Sequence, residues 1–123
     1  MDQAHTSLTS KPQAGQAITS RFPSQLAAID MGSNSFRLEI SEIQKGRYKR
    51  VDYLKETVRL GGGLDSHGLL TEEATQRGLA CLARFAQRLK GFAPWQVRAV
   101  ATQTLREARN RDAFLARANR VLG

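Results

Sequence analysis

The segment Asp30-Met31-Gly32-Ser33-Asn34-Ser35 constrains the fold of this 123-residue chain more than any other. An apolar run, Leu26-Ala27-Ala28-Ile29, precedes it, and an alternating run, Phe36-Arg37-Leu38-Glu39-Ile40-Ser41, follows it. Unbroken apolar residues suit a central strand covered on both faces, whereas alternation suits a strand with one buried face. A carboxylate therefore ends one strand, a turn of small residues follows, and a second strand returns. Gly32 reaches backbone angles that other residues resist, and Ser33, Asn34 and Ser35 add hydroxyls and an amide. Two readings fit. The turn is an ordinary hairpin loop, or it aims backbone N–H groups and hydroxyls at a phosphate while Asp30 holds a metal or a water beside it.

The remaining patterning predicts the order β-β-β-α-β-α. The first strand runs over Gln25 to Asp30, and the second starts at Phe36 with Phe36, Leu38 and Ile40 on one face. Lys45-Gly46 turns the chain into a third extended segment from Tyr48 to Leu60. Its apolar phase slips between Val51/Tyr53 and Val58/Leu60, which predicts a bulge near Lys55. Gly61-Gly62-Gly63 lacks a following Gly-Lys-Ser/Thr, so it is no P-loop and reads as a flexible turn. Thr71, followed by Glu72 and Glu73, starts a helix whose apolar stripe is Leu79, Leu82, Phe85, Ala86 and Leu89. Cys81 lies at the edge of that stripe as a small core residue. Pro94 opens the next unit, and Val97 to Ala101 reads as a short strand parallel to the first, at the sheet edge. Thr104-Leu105-Arg106-Glu107 matches a capping box. Asn110 is placed to cap a last helix with Phe114, Leu115, Ala118, Val121 and Leu122 inward and Arg117 facing solvent.

In an open α/β sheet, ligands bind at the carboxyl ends of the parallel strands. Asp30 and the stretch Thr102 to Arg106 lie at such ends, so two segments far apart in sequence face one crevice. Thr102 and Thr104 can donate hydroxyls there, and Arg106 can fork two N–H groups onto a phosphate. The competing reading is that Thr104 only caps a helix and Arg106 only pairs with a carboxylate. Composition bounds the partners. The net charge of +8 fits a polyanion such as polyphosphate, a nucleotide or a nucleic acid, or simply a basic surface. Nucleic acid is disfavoured, because zinc spacing, RNA-binding aromatics and helix-turn-helix patterning are all missing. Met1 to Ser24, rich in Ser, Thr, Gln and Ala, reads as a flexible tail before a domain over residues 25–123. No segment has the length or apolar character of a signal or membrane span. A single cysteine excludes an internal disulfide and fits a reducing cytoplasm. His67 stands alone in a glycine-rich turn as a solvated loop residue.

Three stretches in this order, Asp30 to Phe36, Val58-Arg59-Leu60-Gly61-Gly62-Gly63-Leu64 and Ala101-Thr102-Gln103-Thr104-Leu105-Arg106-Glu107-Ala108-Arg109-Asn110, resemble the amino-terminal part of the exopolyphosphatase and guanosine pentaphosphate phosphohydrolase family. The resemblance covers about residues 25 to 123. It implies a partial ribonuclease-H-like, actin-like α/β lobe with a mixed sheet, lacking the last strand and helix. It also implies phosphate binding by Gly32, Ser33, Asn34, Ser35, Thr102, Thr104 and Arg106, with Mg²⁺ at Asp30. The implied reaction is removal of the terminal phosphate of inorganic polyphosphate, or of guanosine pentaphosphate, by in-line attack of water. In the family the general base is a glutamate in a Gly-x-Glu-Glu-Ala-Arg segment, expected beyond Gly123, so no catalytic base is assigned within these residues. The chain is therefore expected to be an inactive amino-terminal portion of such an enzyme. Self-association is expected from its exposed edge strand.

Overall fold

The computed structural model describes residues 20–123; of Gln103, only the backbone is described. Three strands form an antiparallel meander: β1 (Gln25–Met31), β2 (Ser35–Gln44) and β3 (Arg47–Thr57). A 3-10 turn over Leu60–Gly63 leads to α1 (Glu72–Arg88), and a second over Pro94–Gln96 leads to β4 (Val97–Ala101). A short helix, α2 (Gln103–Glu107), and α3 (Arg111–Leu122) complete the order. The sheet order is β3-β2-β1-β4, with β4 parallel to β1 and at the edge. This is the expected mixed α/β arrangement.

Period-two patterning sets the buried face. Ala27, Ile29 and Met31 of β1 and Phe36, Leu38 and Ile40 of β2 point to the helices and are nearly fully buried. They meet Leu79, Leu82 and Phe85 of α1, with Cys81 buried among them. Burial of the Cys81 thiol, with Glu56 nearby, pushes its pKa to about 12, so it stays protonated as a core residue. Thr71 caps α1 as expected, its hydroxyl accepting the Ala74 N–H at 3.1 Å. The other sheet face carries no helix among the described residues and exposes Leu26, Ile43, Tyr48, Val51, Tyr53 and Trp95.

That bare face corrects the expected bulge. The register shift lies opposite Ile40/Ser41, where Asp52 pairs with Ile40 and Arg50 with Ser41, so the extra residue is Val51, not Lys55. After it, Asp52, Leu54 and Glu56 turn inward while Val51 and Tyr53 face the open side. Apolar residues therefore occupy both faces of β3, and no slip at Lys55 is required. The hairpin Lys45-Gly46 has positive φ at both residues, 51° and 76°, as a two-residue hairpin turn requires.

Residues 1–19 of the expected tail lie outside the described residues, whereas 20–24 run over the surface and are tied to it. Arg21 N–H donates to the Gly91 carbonyl at 2.8 Å, and the Phe22 and Phe92 rings lie 5.4 Å apart. Buried Gln96 satisfies every polar atom it has. Its amide nitrogen donates to the Phe22 and Gln25 carbonyls at 2.7 Å each, and its oxygen accepts the Ala93 N–H.

Two expectations about the last helix change. Asn110 stands at the N-cap position of α3, as expected, but its side chain does not cap the helix. Its side chain instead pairs with the backbone of Leu70, accepting that N–H at 2.9 Å and donating to the carbonyl at 3.2 Å. Arg117 does not simply face solvent: both outer nitrogens donate to Glu72 at 3.0 Å, tying α3 to α1. Those bonds, with one from Gln76, hold the Glu72 carboxyl at about 2 instead of 4.5. A carboxylate with a depressed folded pKa adds stability above its unfolded pKa, and that stability is lost as pH falls. The Glu72–Arg117 contribution should therefore vanish between pH 4.5 and 2. Denaturant midpoints across that window should fall less for Arg117→Met than for the parent chain.

Candidate phosphate-binding site

The site is built from three segments that the sheet brings to one end. Thr102, which immediately follows β4, donates both its N–H and its hydroxyl to the Met31 carbonyl, each at 3.1 Å. Three carbonyls of the following loop are also taken. Ser33 C=O accepts the Gly61 N–H at 2.8 Å, and Asn34 C=O accepts those of Val58 and Arg59, both at 2.9 Å. Ser35 C=O accepts the Gly32 N–H at 3.0 Å. Among the described residues, the N–H groups of Ser33 and Asn34 have no hydrogen-bond acceptor. Both residues are exposed. The loop thus spends three carbonyls on neighbouring segments and keeps two backbone donors free, the arrangement of an anion-binding concavity.

The hydroxyls of Ser33 and Thr104 hydrogen-bond to one another across 71 residues of sequence. Thr104 is buried, and its hydroxyl is committed to Ser33, so it does not cap α2. The helix begins two residues earlier than the capping box implies, with Thr102 as its N-cap residue and no side-chain cap. Ser35 is buried beneath the loop. Asn34 is exposed, and Arg106 is exposed on α2 with no acceptor for its guanidinium among the described residues. The alternative that Arg106 pairs with a carboxylate therefore does not hold among these residues.

The glycine turn was the element least legible in sequence. It is a packed 3-10 turn, not a flexible link. A Cβ on Gly63 would lie 2.2 Å from that of Ala74, so only glycine lets the turn sit on α1. A Cβ on Gly61 would lie 3.4 Å from both Ser33 and the Thr104 hydroxyl, so this glycine forms the third wall of the site. The only sequence signal was the run of glycines itself, which marks close backbone approach as readily as flexibility.

Asp30 projects from the helix-free face beside its cross-strand neighbour Arg37, with Arg37 Nη1 to Asp30 Oδ2 at 3.6 Å. Its other oxygen, Oδ1, is buried and has no hydrogen-bond partner among the described residues. An orphaned carboxylate oxygen suits a cation ligand. No group of three His, Cys, Asp or Glu side chains that could hold a metal occurs among the described residues, so Asp30 would be the sole carboxylate ligand supplied here.

The hydroxyl pair makes a measurable demand. Ser33→Ala and Thr104→Val should each lower the denaturant midpoint. Their double mutant should show a coupling of about 1 kcal/mol, whereas strictly additive effects would mean that the pair contributes nothing jointly.

Residues 39–123 match the Ppx/GppA phosphatase family. The chain is 46% identical over 97 residues to a Haemophilus influenzae protein provisionally named exopolyphosphatase, covering 79% of this chain and 30% of that protein. It is equally identical to a guanosine-5'-triphosphate,3'-diphosphate pyrophosphatase of Vibrio vulnificus, covering 20% of it. Among solved structures, an exopolyphosphatase from Cytophaga hutchinsonii superposes with a TM-score of 0.73 at 33% identity, over 80% of this chain and 31% of that one. The Aquifex aeolicus Ppx/GppA family member gives 0.71 at 31% identity, over 78% and 31%. The chain thus spans less than a third of the length of each of these relatives. With the family matched over residues 39–123 and the fold shared with its solved members, the chain belongs to the Ppx/GppA phosphatase family.

Proposed function

We propose that this chain supplies the phosphate-gripping part of an exopolyphosphatase, which removes the terminal phosphate of inorganic polyphosphate by attack of water. The observation that carries this reading is the pair of free N–H donors on Ser33 and Asn34, in a loop whose Ser33, Asn34 and Ser35 carbonyls are committed elsewhere. Gly32 lets the loop close tightly, and Thr102 and Thr104 lock it to α2, which presents Arg106. The donors and the Arg106 fork bind non-bridging oxygens and neutralise charge that builds on the transferred phosphoryl group. Ser33 and Ser35 position this loop, and Asn34 offers its amide at the rim.

Mg²⁺ fits Asp30, because one carboxylate with phosphate oxygens and waters suffices for an ion that keeps several waters. When bound, it would supply charge screening on the phosphate oxygens. The family's Gly-x-Glu-Glu-Ala-Arg base segment does not occur in residues 1–123, so no general base is assigned among them. Guanosine pentaphosphate is the second substrate reading, favoured by the Vibrio relatives of equal identity. A lone, buried cysteine and the absence of a membrane-length apolar helix among the described residues are compatible with a cytoplasmic setting.

The whole protein tests the site. Arg106→Ala should lower kcat/KM for polyphosphate by about 10²-fold, while Arg120→Ala, exposed on α3, should leave it unchanged. Equal losses would reduce the reading to bulk charge, and tight salt-sensitive retention of RNA with poor competition by polyphosphate would favour a nucleic-acid module. We also propose self-association of the chain through β4. The opposite edge, β3, carries Arg47, Lys49, Arg50 and Lys55, which discourage pairing, whereas β4 carries only Arg98 among apolar residues. Light scattering should find a dimer or larger species, and a monomer at high concentration would refute this.

A further inference from the structure

Arg59 stands apart from the other arginines. It is one of two non-glycine residues with positive φ among the described residues, at φ 58° and ψ 46°. The other, Lys45, is accounted for by its hairpin. Arg59 lies in no hairpin, and a glycine would hold this left-handed conformation without strain. Strain of this kind persists only where surrounding structure over-determines it, and it concentrates at ligand sites.

The surroundings do over-determine it. The Arg59 N–H donates to Asn34 C=O at 2.9 Å, and its carbonyl accepts Arg77 Nη2 at 3.2 Å and the Gly62 N–H at 3.2 Å. Arg77 Nε also takes the Val58 carbonyl at 2.9 Å, so one α1 side chain clamps two successive peptides. The Arg59 side chain itself is exposed and has no hydrogen bond, ion pair or ring contact among the described residues. Most other arginines are engaged: Arg37, Arg50, Arg84, Arg88 and Arg117 hold carboxylates. Arg47, Arg98 and Arg120 are also uncommitted, but they lie on strands or a helix away from the loop.

Position makes the difference. Gly61 touches Ser33 and Thr104, Arg59 precedes it by two residues, and Arg106 follows Thr104 by two. Two arginines with uncommitted guanidinium groups thus each lie two residues along the chain from this contact between the glycine turn and the hydroxyl pair.

We propose that Arg59 is a second phosphate-binding arginine, which grips a phosphate of the chain beyond the one held by the Ser33–Asn34 donors and Arg106. The inference rests on the phosphate-binding reading above. A strained backbone fixes where the guanidinium starts, so less freedom is lost when it binds. Its contribution should therefore depend on chain length, being large for tripolyphosphate and small for inorganic phosphate.

Calorimetry on the 123-residue chain with tripolyphosphate and with inorganic phosphate tests this. Arg59→Gly should weaken tripolyphosphate binding about tenfold, leave inorganic phosphate binding nearly unchanged, and keep or raise the melting temperature, because glycine relieves the positive φ. Arg59→Asn, which also tolerates this conformation, should behave alike, and Arg98→Ala should have no effect. If Arg106→Ala weakens tripolyphosphate binding while both Arg59 variants bind it like the parent, the inference about Arg59 is overturned and the site reading survives. If the parent chain binds neither ligand, or Arg106→Ala is also silent, the site reading falls and Arg59 with it.

Discussion

The carbonyl groups of Met31, Ser33, Asn34 and Ser35 hold the β1–β2 end of the sheet to the segments around it. Met31 C=O collects two donors from Thr102, Ser33 C=O one from Gly61, Asn34 C=O two from Val58 and Arg59, and Ser35 C=O one from Gly32. A peptide whose carbonyl is tied down has its N–H pointing roughly the opposite way, because the amide is planar and trans. In the Ser33–Asn34 peptide, committing the carbonyl to Gly61 is thus the same act as presenting the Asn34 N–H outward. A buried backbone oxygen left unpaired would be costly, so each of these bonds also protects the fold. One set of interactions therefore joins β4, the glycine turn and the β1–β2 loop, and leaves an electropositive rim.

Packing supplies the platform under that rim. The central pair β1 and β2 buries one face against α1, and α3 lies against α1 through Phe114 and Ala118. Gly78 lets the two helices approach, since a Cβ there would lie 3.2 Å from the Phe114 ring. Polar links at the periphery add orientation: Arg84 forks onto Glu56, Arg88 pairs with Asp52, and Arg117 with Glu72. These pairs are substantially exposed, so they fix the helix on the sheet more than they stabilise it. By contrast, the far face of the sheet exposes Leu26, Tyr48, Val51 and Trp95. A parallel pair such as β1–β4 is ordinarily covered on both faces. That bare surface accompanies a chain that covers only 30% and 31% of two relatives' lengths.

Local regularities in the sequence were sufficient for much of this. Alternation in Phe36–Ile40 determined which face of β2 is buried, because a strand's side chains must alternate. Thr71 with Glu72 and Glu73 determined where α1 begins, because the first turn's N–H groups need acceptors close by. The apolar run before Asp30 and the motif order placed Asp30 and Arg106 on segments that converge. Tertiary structure alone decided the rest. That Thr104 serves Ser33 rather than its own helix depends on a contact across 71 residues, which no local spacing encodes. That Gly61 is a wall and not a hinge depends on what lies against it, and a glycine run reads alike in both cases. The bulge at Val51 was misplaced because apolar residues on the bare face imitate a phase slip. Arg59 was invisible as a site residue, since its backbone strain exists only once Asn34 and Arg77 have closed around it. Periodicity reports burial, which each residue meets one at a time; the chemistry of this site comes from hydrogen bonds between segments, which exist only after the chain has folded.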